Sequence, residues 1–148
     1  MKIHTETLKV ITPADEVAVD ITPLVVEVVQ RSGVRHGRVL VYTTHTSSGL
    51  TVTEGIPCLE ADLMSFFDKL APVEGDYRHR RYLDFDGRIG FNAEDHLKSV
   101  LAGYQVHFAV VDGAIVKGGR QTIYFLEFDG PLERTVVVQV MGETGDTP

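Results

Sequence analysis

Three histidines in three different settings carry the chemistry this sequence can offer. His45 stands in the run Thr43 to Gly49, TTHTSSG, directly after the apolar stretch Val39-Leu40-Val41-Tyr42. An imidazole held rigidly at the rim of a sheet suits a ligand or a general base. Thr44, Thr46, Ser47 and Ser48 around it can bind an oxyanion through hydroxyls, with Gly49 allowing close backbone approach. The same residues also make an ordinary hydrogen-bonded turn. His79 lies among Arg78, Arg80 and Arg81 in YRHRRY, a short basic cluster that could face a phosphorylated small molecule or simply be a solvated loop. His96 falls beside Leu97, Val100 and Leu101 in NAEDHLKSVLAG, where a helical histidine is more often satisfied in the core by a backbone group.

Metal binding asks for neutral imidazoles and carboxylates arriving from separate elements. His45, His79 and His96 supply the imidazoles, and Glu54, Asp62 or Glu127 the carboxylates, although no compact HExxH signature is present. Glu127 sits inside Ile123-Tyr124-Phe125-Leu126-Glu127-Phe128. A buried carboxylate there needs Arg120, Arg134 or a cation as partner, unless its face of the strand is the solvent face. Nucleophilic catalysis through Ser47, Ser48 or Cys58 is a poor fit: no GxSxG elbow appears, and packing at a helix start accounts for Cys58 after Pro57. His4, His36 and His107 lie in alternating strands or at a turn and receive no role.

The elements that must position these groups follow from periodicity. Residues 2 to 11 alternate as a strand, and Thr22-Pro23 opens a helix with a hydroxyl cap, a stripe of Leu24, Val25, Val28 and Val29, and Gly33 as its stop. Arg38 to Tyr42 and Leu50 to Thr53 read as strands. Pro57 opens a second helix with Leu59, Leu63, Phe66, Phe67 and Leu70 on one side and Asp62 beside them. Residues 71 to 91 form a long loop, and Asn92 caps a third helix that turns Leu97, Val100 and Leu101 inward and ends at Gly103. Strands then span 104–111, 114–116, 121–128 and 134–141, separated by turns at Asp112-Gly113 and Asp129-Gly130-Pro131; GETGDTP is a frayed tail. Hairpins mixed with isolated helices make this a single α+β domain over residues 1–148, not a doubly wound one.

Composition narrows the function. With 43% hydrophobic and 24% charged residues in a chain of 148, one ordinary folded core is expected. A net charge of −7 excludes a broad nucleic-acid surface. No secretory leader and no apolar stretch of about 20 residues is visible, so the expected location is cytoplasmic and no membrane partner is expected. Cys58 is the only cysteine, which rules out an internal disulfide and every multi-cysteine zinc site.

Taken jointly, THTSSGLTVTEG, the loop YRH, NAEDHLKSVLAG and GRQTIYFLEFDGPLERTVVV resemble the YjbQ (UPF0047) family over nearly the whole chain. The resemblance implies an α+β fold with a β-sandwich and a few helices, assembly as a homotrimer, and a weak, secondary thiamine-phosphate synthase activity. It assigns the family's site positions to His45, Glu54, Asp62, Tyr77, His79, Asn92, His96, Gln121 and Glu127. Arg120 stands where members usually have Trp, which bears on substrate shape.

The leading expectation is an enzyme that joins a thiazole phosphate to a pyrimidine pyrophosphate. His45, His79 and His96 would hold a divalent ion (Zn or Mg) or the leaving pyrophosphate, Arg120 or the Arg78 cluster would neutralise charge, and Glu54 or Asp62 would orient the histidines. Thr46, Ser47, Ser48, Asn92, Gln121 and Glu127 would line the substrate. The alternative is a trimer that binds a metal or a phosphorylated metabolite without turnover.

Overall fold

The computed structural model describes residues 1–81 and 90–145. The central part of the long loop and the last three residues therefore lie outside the described region. In chain order the elements are β1 (Lys2–Ile11), β2 (Val17–Asp20), α1 (Thr22–Ser32), β3 (His36–Thr43), β4 (Ser48–Glu54), α2 (Pro57–Leu70), a 3-10 turn (Arg78–Arg80), α3 (Ala93–Ala102), β5 (Gln105–Val111), β6 (Ala114–Ile115), β7 (Gln121–Glu127) and β8 (Glu133–Glu143). The mixed α+β class is as expected.

Two antiparallel sheets carry the core. The larger runs β1-β8-β3-β5-β6 and the smaller β2-β7-β4. Val39, Val41, Val136, Val138 and Val140 of the larger sheet meet Leu50, Ile123 and Phe125 of the smaller one, with Val25, Val28 and Val29 of α1 completing this cluster. On its other side β7, with the residue that follows it, turns Tyr124, Leu126 and Phe128 to Phe67 of α2 and to Ala102. Having apolar layers on both faces explains why 123–128 reads as an unbroken apolar run instead of alternating. Neither face of β7 is a solvent face, so Glu127 is fully buried.

Several expectations change. β2, a strand not assigned from the sequence, pairs with β7. Thr22 does not cap α1; its hydroxyl accepts the Ile123 amide at 2.9 Å, while Asp20 Oδ1 accepts the Thr22 amide at 2.9 Å. Gly142 and Glu143 are not frayed but pair with Gly37 and His36. The apolar stripes of α2 and α3 are only partly used: Phe67 is buried, whereas Phe66 is 55% exposed and Val100 78% exposed. In α3 the helix face turned inward is instead Ala93, Glu94, Asp95, Lys98 and Ser99, because that face docks on backbone carbonyls and ion-pair partners that apolar side chains could not satisfy. No helix among the described residues is long and apolar enough to cross a membrane.

Candidate functional site

The turn between β3 and β4 is built from its own hydroxyls. Thr43 and Ser48 hydroxyls bond each other at 2.9 Å, and the His45 amide donates to Thr43 Oγ1 at 3.2 Å. Ser47 Oγ accepts from Arg134 Nη2 at 2.9 Å. Ser47 and Ser48 are both buried. Their hydroxyls thus hold the turn, and the expected oxyanion-binding array reduces to the exposed Thr44 and Thr46.

Helix α3 lies across this turn. His96 Nδ1 donates to the Thr46 carbonyl at 2.9 Å, and Ser99 Oγ donates to the Ser48 carbonyl at 2.5 Å. Gly49 allows the approach, since a Cβ there would sit 2.7 Å from Ala102 Cβ and 2.9 Å from the Gly103 carbonyl oxygen. A carbonyl can only accept, so His96 carries its proton on Nδ1 and keeps an Nε2 lone pair.

His79, in the 3-10 turn, stacks edge-on against His96 with ring centroids 5.2 Å apart and planes at 79°. Its Nε2 is 3.3 Å from Asn92 Oδ1. Gly90 crosses directly over it: a Cβ there would lie 2.5 Å from both His79 Nε2 and the His79 carbonyl oxygen.

His45 is half-buried, and its Nε2 accepts the Thr135 amide at 3.0 Å. The neutral ring must then carry its proton on Nδ1. Burial and the nearby Arg134 guanidinium push its pKa down, favouring that neutral form. His45 therefore lacks a spare lone pair for a metal, whereas His79 and His96 together keep two. Among the described residues no group of three or more His, Cys, Asp or Glu side chains gathers as a metal site. The three-histidine site expected does not assemble among the described residues, His45 Nε2 being committed to the Thr135 amide.

Two clefts share His96 as a common wall, each of ≈ 380 Å³. One adds Tyr77, Arg78 and His79, the other His45, Thr46 and Tyr104. Of the basic cluster, Arg80 pairs with Glu94 at 2.6 Å and Arg81 with Asp76 at 2.8 Å. Arg78 makes no ion pair among the described residues and lines the His79 cleft.

The remaining expected residues do not gather here. Glu54 pairs with Arg120 at 3.1 Å and stands opposite Gln121 across the β4–β7 ladder. That is the far end of β4 from Ser48, roughly 20 Å away along the strand. Asp62 is exposed on α2. Glu127 is saturated: it takes Arg134 Nη2 at 2.5 Å and Arg134 Nε at 2.8 Å, the Thr12 hydroxyl at 2.9 Å, and the Phe128 and Asp129 amides at 3.1 and 3.0 Å. Burial raises its pKa, but Arg134, the Asp129 amide and Thr12 outweigh that and hold it below the usual carboxylate range. Arg134 is thus the partner of Glu127, and Glu127 acts as an anchor with no substrate surface.

Sequence reasoning missed Asp129. Its Oδ2 accepts Asn92 Nδ2 at 2.8 Å, joining the β7–β8 turn to the start of α3. As the first residue of Asp-Gly-Pro it carries a turn signal that conceals any other role.

Comparison with known proteins agrees with this architecture. Residues 6–143 match the family described as UPF0047 protein YjbQ-like. A UPF0047 protein of Archaeoglobus fulgidus is 40% identical over 83% of this chain and 90% of its own. The UPF0047 protein YugU of Bacillus subtilis is 33% identical over 93% and 98%. Among solved structures, a YbjQ-like protein of unknown function from Sulfolobus solfataricus has a TM-score of 0.88 at 28% identity, covering 96% of this chain and 99% of that one. An uncharacterised YjbQ/UPF0047 protein from Clostridium acetobutylicum has a TM-score of 0.82 at 34% identity, covering 92% and 99%.

Proposed function

The chain belongs to the UPF0047 YjbQ-like family, and from that premise we propose that its paired clefts bind phosphorylated heterocycles and support thiamine-phosphate synthesis as a secondary activity. The observation that carries this reading is the sharing of His96 by two clefts of equal size, ≈ 380 Å³ each, one with Arg78 and one with the His45 ring. Two adjacent sites of that kind suit two joined substrates.

In the reaction the thiazole ring nitrogen attacks the exocyclic methylene of the pyrimidine pyrophosphate. A C–N bond forms, the C–O bond to pyrophosphate breaks, and pyrophosphate leaves with the electron pair. Arg78 and the His45 Nδ1–H donate to anionic oxygens. The two free imidazole lone pairs repel a bare phosphate oxygen, so His79 and His96 assist only when a proton or a divalent ion lies on them. Bound there, a divalent ion would supply charge neutralisation for the leaving pyrophosphate.

A homotrimer belongs to the same proposal. Leu97, Val100 and Leu101 of α3, exposed at 44%, 78% and 55%, flank the histidines and are suited to burial against another copy. A cytoplasmic location suits the exposed free thiol of Cys58.

Incubation with both substrates, followed by chromatography of thiamine phosphate and assay of released pyrophosphate, tests the reading. His79→Ala, His96→Ala and Arg78→Ala should each lower turnover about 100-fold, while Glu54→Ala and Asp62→Ala leave it near wild type. Saturable binding of pyrophosphate with no product would favour the second reading, a non-catalytic binding trimer. Neither binding nor turnover would remove both.

A further inference from the structure

We propose that Asp129 is a positioning residue that, through Asn92, selects the tautomer of His79. Glu127, locked by Arg134, receives the Asp129 backbone amide at 3.0 Å and so fixes where the Asp129 side chain starts. Asp129 Oδ2 then accepts from Asn92 Nδ2 at 2.8 Å. An amide has one donor end and one acceptor end, so committing Nδ2 to the carboxylate turns Oδ1 toward His79 Nε2, 3.3 Å away. A carbonyl oxygen cannot donate. His79 Nε2 must carry the proton, which leaves Nδ1 as the bare nitrogen.

Remove the carboxylate and the Asn92 amide loses its reason to keep this orientation. Flipped, it presents NH2 to His79 Nε2, which then accepts, and the proton moves to Nδ1. The atom that would take a proton or an ion is thereby exchanged for its neighbour across the ring. Asp129 touches no ligand in this scheme; it acts on the site two hydrogen bonds away.

This inference deepens the proposed role of His79 as an acceptor, yet its test needs no substrate. Long-range 1H–15N correlation spectra of histidine-labelled full-length protein, recorded above the imidazole titration range, report each tautomer directly. Wild type should show His79 protonated on Nε2. In Asp129→Ala the Nδ1–H share of His79 should rise about tenfold, with His45 and His96 signals unchanged as the control for folding. Adding Asn92→Asp to Asp129→Ala restores an acceptor-only group beside His79 and should bring back the Nε2–H form, a rescue that general loosening of the turn would not give. Should Asp129→Ala lose the His45 and His96 signals, Asp129→Gly likewise removes the acceptor of Asn92 Nδ2 at a turn position that glycine suits, and the same comparison applies. A wild-type His79 protonated on Nδ1, or an unchanged tautomer in a folded variant, overturns the proposal. Either result leaves the test of phosphate chemistry untouched, and a failed turnover assay leaves the tautomer result standing.

Discussion

Ser99 and Ser48 join the third helix to the turn that carries His45, the Ser99 hydroxyl donating to the Ser48 carbonyl at 2.5 Å within the buried interior. One turn of helix earlier, His96 makes the parallel bond to Thr46. The two bonds set the depth and rotation of α3 on the smaller sheet, and with them the position of the wall between the clefts.

Ser99→Ala should therefore lower stability by about 1 kcal/mol, one buried hydrogen bond with its acceptor left unmatched. It should also weaken pyrophosphate binding. Urea unfolding and a binding titration on the same protein check both effects, and a drop in stability alone would mean that His96 holds α3 by itself.

Arg134→Met should be far more damaging, by about 3–5 kcal/mol, because it strands the fully buried Glu127 carboxylate. Pairing it with Glu127→Gln should recover most of that loss. The native pKa of Glu127 is depressed, so its contribution is complete above the unfolded carboxylate pKa and disappears as pH falls through the native value. Denaturation curves of the single and double variants across acidic pH measure this.

Asp95 gives the opposite slope. Burial first, then the charges of Glu94 and Asp129, push its pKa up to about 7. The native state consequently holds this proton more tightly than the unfolded chain, and stability declines as pH rises from the ordinary Asp value of 3.8 to about 7. Asp95→Asn should be more stable than wild type at pH 8 by about 2 kcal/mol and equal to it near pH 3. Thermal unfolding at both pH values decides it, and a gain that persists at pH 3 would point to packing instead.

Divalent-metal retention should depend on His79 and His96 but not on His45. Elemental analysis after loading with Zn or Mg in the presence of pyrophosphate, then desalting, should find metal in wild type and His45→Ala. His79→Ala and His96→Ala should fall to background. Equal loss in all three variants would show that His45 releases Thr135 to join the ligands.

The sequence carried the strands well, because β-branched and aromatic runs bounded by Gly, Asp and Pro admit few other readings. It also marked the TTHTSSG turn, where polarity is concentrated after an apolar strand. It misled at α3: Leu97, Val100 and Leu101 have core-forming periodicity, yet the chain turns Lys98 and Ser99 inward because their partners, Asp68 and the Ser48 carbonyl, come from distant elements. Periodicity sees the side chains of one segment and not what lies opposite. Asp129 was invisible for the same reason, its partner Asn92 standing 37 positions away. Glu127 was legible as a problem that needed a cation, and only the fold could choose Arg134 over Arg120.

The order of the larger sheet has a consequence for synthesis on the ribosome. Strand β8 lies between β1 and β3, pairing Lys2 with Gly142 on one side and Val41 with Val138 on the other. The first strand of the sheet must wait for the last one in chain order. Strand β1 therefore has no sheet partner until β8 is made, whereas β3 can already pair with β5 through Val39–Phe108 and Val41–Val106, so the larger sheet is completed by a late, long-range event.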